Sequence, residues 1–562
     1  MCGIAGVIST AKADVGPELR LMLEAMRHRG PNGAGYVIGN TVSRADNVSG
    51  LDWDHAHGPV ALGHTRLAVV GGAVGTQPFV GGNGSVTVLH NGEIYNYQSL
   101  RPHLETKYKF TSLTDSEVLA HLIADNYTDD ITSAVENALS RCDGVYAIAA
   151  TNGEEIVIVR DPIGVRQLYI GRKGHLQAFA SEKKALYAIG INETIQRLLP
   201  GQFITISPSR TTIRYHDPAD LIPGKSSISD HLTALKAYQQ SLESAVAKRI
   251  QNQDRIGVIF SGGIDSVLIA QIAKNLGANM TCYAAGYTGS SDLQSAIAIA
   301  RDMGLELKAV ELSEERILEL IPEIMQVIED RSLGQVEVAV PIFAAVRAAY
   351  QDDQLVLLTG QGADELFGGY SWYRNIVEKE GYAQFQFRMK DDLLHLYKET
   401  LEREDKIAMA HSIELRVPYL DPQVIRTAMD IAPELKILLG DNSPDKRIHR
   451  ELSVAEGVPS QWAMRPKEAA QHGAGVHSIF DSLAEQHGFS PEVAKERGYT
   501  AEANMVEKLG SSTRYGYLYG NPELWKPQDH VQLFLDSVAY GCDLLSEREK
   551  AKIEIFLNPV TT

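Results

Sequence analysis

The residue with the most chemical leverage in this chain is Cys2, second of 562 residues. With a small residue at that position the initiator Met is removable, which leaves a thiol and a free α-amine on one residue. An α-amine has an unperturbed pKa near ~7.7–8.0, so it can serve as general base beside the nucleophile at neutral pH. A near-terminal cysteine can equally be structural, and Cys2 alone does not decide. A second stretch, Phe260-Ser-Gly-Gly-Ile-Asp-Ser266, sets small residues between an apolar run and an amphipathic pattern. Backbone N–H groups can crowd around phosphate oxygens there, and a following helix N-terminus adds a favourable dipole. Gly224-Lys225-Ser226 looks like the end of a P-loop, but that motif needs a glycine where Ala219 stands, and no strand leads in.

Five blocks downstream favour the reactive reading of Cys2. Cys2-Gly-Ile-Ala-Gly6, Arg27-His-Arg-Gly-Pro31, Gly63-His-Thr-Arg-Leu-Ala-Val-Val70, His90-Asn-Gly-Glu-Ile-Tyr-Asn96 and Thr114-Asp-Ser-Glu117 closely resemble, in order, the class II glutamine amidotransferase family of N-terminal-nucleophile (Ntn) glutaminases. The resemblance implies that Cys2 attacks the glutamine side-chain amide, giving a thioester and ammonia. It also implies an oxyanion hole made of the Asn91 side chain and the Gly92 backbone N–H. The chemistry agrees, since a tetrahedral oxyanion needs preorganised donors, each worth roughly 2.7–4 kcal/mol. An Asn-Gly pair offers an amide beside a backbone free to adopt unusual dihedrals. Arg66 can clamp the α-carboxylate of glutamine as a fork, with Leu67, Ala68, Val69 and Val70 in the same glutamine-binding block. Asp115 and Glu93 can accept from its α-ammonium. The structural alternative for Asn91-Gly92 is a plain hairpin turn.

The Ser-Gly-Gly stretch lacks a Walker lysine and resembles the pyrophosphate loop of N-type ATP pyrophosphatases, which transfer AMP and release pyrophosphate. Supporting blocks are Thr359-Gly-Gln-Gly-Ala-Asp-Glu-Leu-Phe-Gly-Gly-Tyr370, Ser412-Ile-Glu-Leu-Arg-Val-Pro-Tyr-Leu-Asp421 and Arg465-Pro-Lys-Glu468. With the N-terminal blocks they are similar to the glutamine-dependent asparagine synthetase family over most of the chain. That resemblance implies ATP and Mg²⁺ as cofactors, with Asp265 and Asp364 as metal ligands. It puts Ile259, Ser261, Gly262, Gly263, Asp265, Ser266, Ala285, Thr359 and Gly360 on the nucleotide and Lys467 on the pyrophosphate. Two carboxylates suit Mg²⁺, and a lysine is a suitable point charge for the leaving group. A solvated acidic pair at a helix start is the bland reading of Asp364 and Glu365. The expected reaction is ATP-dependent amidation of aspartate through an acyl-adenylate, using channelled ammonia. Amidation or cyclisation of another small carboxylate, and a non-enzymatic nitrogen sensor or scaffold, are its rivals.

Two positions depart from that pattern. The family usually has Gly-Glu-Gly where this chain has Gly360-Gln361-Gly362, and glutamine takes no proton at neutral pH. A glutamate's role there, in forming the acyl-adenylate and handling ammonia, must shift to another group or disappear. The family's Thr-Thr-x-Arg segment aligns with Gly334, Gln335, Val336 and Glu337, so a charge is reversed at the acceptor. A Glu337 facing the site disfavours an α-carboxylate; a Glu337 on a helix surface can pair with Arg331 or Arg347.

The elements that must carry these residues divide the chain. Residues 2–206 read as a layered α+β Ntn glutaminase domain. Its strands include Val86–His90, Glu155–Val159 and Gln202–Ser207, and its helices include Glu18–Arg27 and Ser116–Asn126. A Ser-, Pro- and Asp-rich stretch, 207–230, reads as a linker. Residues 231–545 read as a parallel-sheet α/β ATP pyrophosphatase domain, with buried strands at Arg255–Phe260 and Leu355–Leu358, and 546–562 as a C-terminal tail. A single core does not grow to this length. The net charge of −18 argues against nucleic acid or anionic membrane as main partner, leaving small-molecule substrates, with monomer and homodimer both open. Four scattered cysteines give no zinc or disulfide pattern. No signal peptide and no run of about 18 apolar residues are read, so a cytoplasmic location is expected.

Overall fold

Near-continuous apolar strands, rather than alternating ones, arise where a sheet is covered on both faces, and that is how the N-terminal strands are used. The computed structural model describes residues 2–557 apart from 73, 83, 208, 225, 441–443, 467–472 and 502–527. It has two compact units: Met1–Leu221 with Met409–Glu414, and Ile222–Ala408 with Leu415–Thr562.

The first unit contains β1 (Gly3–Ser9), β2 (Ala34–Ile38), β3 (Thr41–Ala45), β4 (Val60–Thr65), β5 (Phe79–Gly81), β6 (Val86–Ile94), β7 (Gly144–Thr151), β8 (Ile156–Arg160), β9 (Tyr169–Lys173), β10 (Leu176–Ala180), β11 (Gln196–Arg197), β12 (Gln202–Ile206) and β13 (Thr211–Tyr215). They form two sheets, ordered β11-β9-β10-β1-β4-β2-β3 and β13-β12-β8-β7-β6-β5, with antiparallel pairing. Ile4, Ile8 and Leu62 of the first sheet share a core with Leu89, Ala147 and Ile158 of the second. Ala5, Val7 and Ala61 turn the other way, onto the helix Gly16–Ala25. Val88, Ile148 and Ala150 pack on the helices Asp115–Asp125 and Ile131–Leu139. The result is four layers, helix–sheet–sheet–helix, and each expected strand and helix of this half is present within a few residues.

The expected linker is corrected at its first half. Ser207 donates its backbone N–H to the Arg210 carbonyl at 2.9 Å, closing a hairpin that adds β13 beside β12. Thr211–Tyr215 is an exposed edge strand, so its polar composition reflects a solvent-facing edge rather than a linker.

The second unit holds a five-stranded sheet ordered β16-β15-β14-β17-β18: β14 (Ile256–Ile259), β15 (Met280–Tyr287), β16 (Leu307–Leu312), β17 (Val356–Leu358) and β18 (Glu414–Arg416). The β14–β15, β14–β17 and β15–β16 pairs are parallel. The chain leaves β14 toward β15 and β16 on one side, then returns to place β17 on the other. The carboxyl ends of β14 and β17 therefore flank a topological switch point, where ligands of open α/β sheets bind. The Ser261–Ser266 loop follows β14 and Thr359-Gly360-Gln361 follows β17.

The tail is also corrected. Glu547–Leu557 is a helix that buries Ile553, and its Glu549 accepts from Arg331 at 2.8 Å. The helix Leu333–Gln351 is long and apolar enough to cross a membrane by length and average composition, although Glu337 and Arg347 interrupt its apolar residues. Most of it is buried, packed on β15.

Candidate active sites

In the first unit, β1 and β4 pair with Gly3 opposite Thr65, which brings the residues just outside both strands, Cys2 and Arg66, to one end of the sheet. Cys2 is buried, and its backbone nitrogen donates to Asn91 Oδ1 at 3.0 Å. That bond uses the acceptor of the Asn91 amide. Its Nδ2 stays buried with no hydrogen-bond partner among the described residues, and an unused buried donor costs roughly 1–3 kcal/mol. A spare donor beside a thiol is what an oxyanion requires. Gly92 is also sterically required, since a Cβ there would lie 2.0 Å from the Val145 carbonyl oxygen. Burial pushes the Cys2 thiol above its ordinary value, with the Leu67 backbone and Arg66 among the groups pulling against it.

The remaining N-terminal candidates surround this point. Leu67 is buried and its carbonyl lies 4.0 Å from Cys2 Sγ. The Ala68 N–H donates to Asn32 Oδ1, and Val69 and Val70 continue the turn. Arg66 donates through Nη2 to the Gly72 carbonyl at 2.5 Å. Asp115 is the first residue of its helix, and its Oδ2 accepts from the Ile94 N–H at 2.9 Å. It is thereby tied to the strand that carries Asn91, Gly92 and the buried Glu93. The chemical importance of two supporting residues was not read from sequence. Arg29 Nε donates to the Cys2 carbonyl at 3.0 Å while its Nη1 reaches Glu182 Oε1 at 2.7 Å. Glu182 is fully buried; burial opposes its charge, but Lys184, His28 and Arg29 together hold its carboxyl well below the usual range. Arg29 lay inside a recognised block, whereas Glu182 carried no signal.

In the second unit the loop after β14 turns at Gly262 with φ +72, where a Cβ would meet the Ala296 backbone nitrogen at 2.9 Å. The Gly263 N–H donates to Ser261 Oγ, and Ser266 Oγ donates to the Gly263 carbonyl at 3.0 Å, opening the helix Ile264–Asn275. Ile259, Ala285 and Thr359 lie at the carboxyl ends of β14, β15 and β17. Gly360 packs directly on the loop, since a Cβ there would lie 2.9 Å from Asp265 Cβ and from the Ser266 backbone nitrogen. Arg465, from the last recognised block, reaches the Gly262 carbonyl at 3.4 Å. Lys467 lies outside the described residues.

Asp265 and Asp364 do converge, and what joins them is Lys446, unnoticed in the sequence. Its Nζ lies 2.5 Å from Asp265 Oδ1 and 2.5 Å from Asp364 Oδ1. Lys446 adopts φ +63, a left-handed conformation that costs a non-glycine residue roughly 1–3 kcal/mol. A Cβ at Gly369 would fall 1.9 Å from Asp364 Oδ1 and 2.0 Å from Lys446 Cε, so a side chain there would displace the bridge. Burial opposes the Lys446 charge, but Asp265 and Asp364 raise its pKa overall. Among the described residues no group of three or more His, Cys, Asp and Glu side chains could hold a metal. Two hard carboxylate donors converging on one cation nevertheless match what Mg²⁺ takes from a protein when phosphates supply the rest. Glu365, buried beside Asp364, is pushed up to about 7 by burial and that neighbouring charge.

The two departing positions have definite partners. Glu337 is buried, and its Oε2 lies 2.8 Å from His477 Nδ1. The pairing with Arg331 or Arg347 does not form: Arg331 binds Asp536 and Glu549, and Arg347 binds Glu323. A hydrogen bond to Glu337 raises the His477 pKa against its burial, so the Glu337 carboxylate is hydrogen-bonded rather than bare. Gln361 donates through Nε2 to Glu404 Oε1.

Comparisons with known proteins bear on the family to which the chain belongs. The glutamine amidotransferase domain family matches residues 1–239, and the asparagine synthase family matches 237–386 and 377–533. The putative asparagine synthetase (glutamine-hydrolyzing) 1 of Methanocaldococcus jannaschii is 31% identical over 88% of this chain and 98% of its own length. The nodule asparagine synthetase (glutamine-hydrolyzing) of Pisum sativum is 30% identical over 84% of this chain and 78% of its own. Among solved structures, glutamine phosphoribosylpyrophosphate amidotransferase from B. subtilis, complexed with ADP and GMP, overlaps 55% of this chain and 65% of its own at 22% identity and TM-score 0.36. From residue 2 into the sixth hundred, this chain belongs to the glutamine-hydrolysing asparagine synthetase family.

Proposed function

We propose that this chain hydrolyses glutamine at Cys2 and uses the ammonia to convert aspartate to asparagine at an ATP-dependent adenylating site in the second unit. The observation that carries the first half is the Asn91 amide, its oxygen held by the Cys2 nitrogen and its Nδ2 left over. Removal of Met1 turns that nitrogen into the α-amine, which takes the proton from a thiol that burial keeps neutral. Cys2 Sγ attacks the side-chain amide carbon of glutamine, and Asn91 Nδ2 and the Gly92 N–H receive the oxyanion. The Cys2 α-ammonium passes its proton to the departing nitrogen as the C–N bond breaks and ammonia leaves, and water then releases glutamate from the thioester. Arg66 binds the α-carboxylate of glutamine, while Asp115 and Glu93 take its α-ammonium.

In the second unit the Ser261–Ser266 loop holds the phosphates of ATP, and Ile259, Ala285, Thr359 and Gly360 border the nucleotide. The aspartate side-chain carboxylate attacks the α-phosphorus, pyrophosphate leaves, and ammonia then displaces AMP. Lys446 and Lys467 balance charge on the leaving group. Asp265 and Asp364 would hold Mg²⁺, which when bound supplies neutralisation of phosphate charge. The Glu337–His477 pair is compatible with an aspartate α-carboxylate, because the Glu337 carboxylate is engaged by His477 rather than presented bare. Purified protein given glutamine, aspartate and ATP should form asparagine, glutamate, AMP and pyrophosphate in equal amounts. ADP and phosphate as the coupled products would refute adenylation, and turnover of another carboxylate in preference to aspartate would replace the acceptor.

A further inference from the structure

The two segments that depart from the family pattern are joined by one pair of side chains on the helix Glu402–Ala410. Arg403 Nη1 donates to Gln335 Oε1 at 2.9 Å, and Gln335 Nε2 donates to the Glu399 carbonyl at 3.0 Å. The neighbouring Glu404 is 2% exposed, and its Oε1 accepts from Gln361 Nε2 and from Arg403 Nη2, the latter at 3.5 Å. Its other oxygen, Oε2, is buried and has no hydrogen-bond partner among the described residues. A buried carboxylate oxygen left unpaired by the protein is expensive, and it calls for a partner from outside the chain, whether water, ion or substrate. The location indicates which of these it is. Gly360, next to Gln361, packs on Asp265 and Ser266 of the phosphate loop, and Asp364, three residues on, meets the Lys446 that binds Asp265. Gln361 thus sits between two fixed contacts with the nucleotide site and carries Glu404 on its side chain.

Amide formation leaves one proton to place. Ammonia enters with three hydrogens, and the product amide keeps two. We propose that Glu404 is the proton acceptor of the amide-forming step, doing from the adjacent helix what Gln361 cannot do. The nitrogen lone pair forms the new C–N bond at the acyl carbon. The C–O bond to AMP breaks, and its electron pair leaves on the phosphate oxygen. The third nitrogen-bound proton passes to Glu404 Oε2. Gln361 and Arg403 hold the other oxygen, fixing the carboxylate and supporting its charged form. Burial, only partly opposed by Arg403, raises the Glu404 pKa, which moves a carboxylate toward the range of an effective general base.

The proposal rests on the adenylation reading of the second unit, and the test separates the two. In the full-length protein, aspartate-dependent exchange of pyrophosphate into ATP reports adenylation, and asparagine formation from ammonium reports the later step. E404Q should retain exchange within about threefold and lose ammonium-dependent asparagine formation by about 10²–10⁴-fold, the usual contribution of a general base. The exchanged pair Q361E/E404Q returns a carboxylate to the same hydrogen bond and should recover at least about tenfold over E404Q. Asparagine formation by E404Q at the parent rate overturns the proposal. So does loss of both reactions with no recovery in the exchanged pair, which would make Glu404 a packing residue. No exchange in the parent protein would instead remove the adenylation reading itself.

Discussion

The two sites solve charge placement in opposite ways. Around Cys2 the work is done by strand ends and backbone: Gly3 opposite Thr65, the Cys2 nitrogen on Asn91, and a glycine at 92 that no side chain could replace. Around Asp265 it is done by long side chains from distant segments, with Lys446 reaching back 181 residues to bridge two aspartates. The first arrangement is a local consequence of sheet register, so it leaves compact sequence blocks. The second depends on where the chain returns after many helices, and its key cation leaves no local mark.

Removing Lys446 strikes the long-range site hardest. Lys446→Met leaves Asp265 and Asp364 facing each other without their cation, and breaking a buried pair in this way costs about 3–5 kcal/mol. The variant should lower the unfolding midpoint of the second unit and abolish aspartate-dependent pyrophosphate exchange, with glutamine hydrolysis retained. Exchange at the parent rate would make the bridge incidental.

Asn91→Ala probes the local site. One oxyanion donor is worth about 10²–10³-fold in kcat, so glutaminase kcat should fall by that factor with KM for glutamine little changed. A loss confined to KM would mean that Asn91 binds substrate and does not stabilise the oxyanion.

Acid should loosen the first unit in a defined window. Burial pushes His64 down to about 3, and neither ring nitrogen has a hydrogen-bond partner among the described residues. The unfolded chain, titrating near ~6.5, binds the proton first, so this contribution is lost as pH falls from ~6.5 toward 3. About 1–2 kcal/mol should disappear between pH 7 and pH 5, measurable by calorimetry, and His64→Gln should flatten that slope. Glu182 acts in a lower window. Its depressed carboxyl contributes stability above the usual carboxylate pKa, lost as pH drops through its folded value.

The smallest effect is expected at Glu337. Its charge is already answered by His477, so Glu337→Gln should change KM for aspartate by no more than about tenfold, the scale of one partly exposed charged hydrogen bond. A hundredfold improvement with aspartate would revive Glu337 as a repulsive selector.

Legibility followed the same divide. The strands at Val86, Ile156, Gln202, Ile256 and Val356 and the helices after residues 15, 114 and 263 were readable because period and end signals are local. The first half of the 207–230 stretch misled because an exposed edge strand, Thr211–Tyr215, has the composition of a linker. Glu337 was read either as facing the site or as pairing with Arg331 or Arg347, because its actual partner stands 140 residues away. Lys446, Glu182 and Glu404 were missed for the same reason: each acts through burial and remote partners, which neither spacing nor composition encodes.

The central claim is that two chemistries reside in two separately built sites, and Cys2→Ala tests it most directly. Asparagine and AMP formation should be followed with aspartate and ATP, once with glutamine and once with ammonium as nitrogen source. Glutamine-dependent synthesis should fall by at least about 10⁴-fold, as for loss of a nucleophile, while ammonium-dependent synthesis stays within about threefold of the parent. Equal loss with both nitrogen sources, or undiminished use of glutamine, would contradict the account.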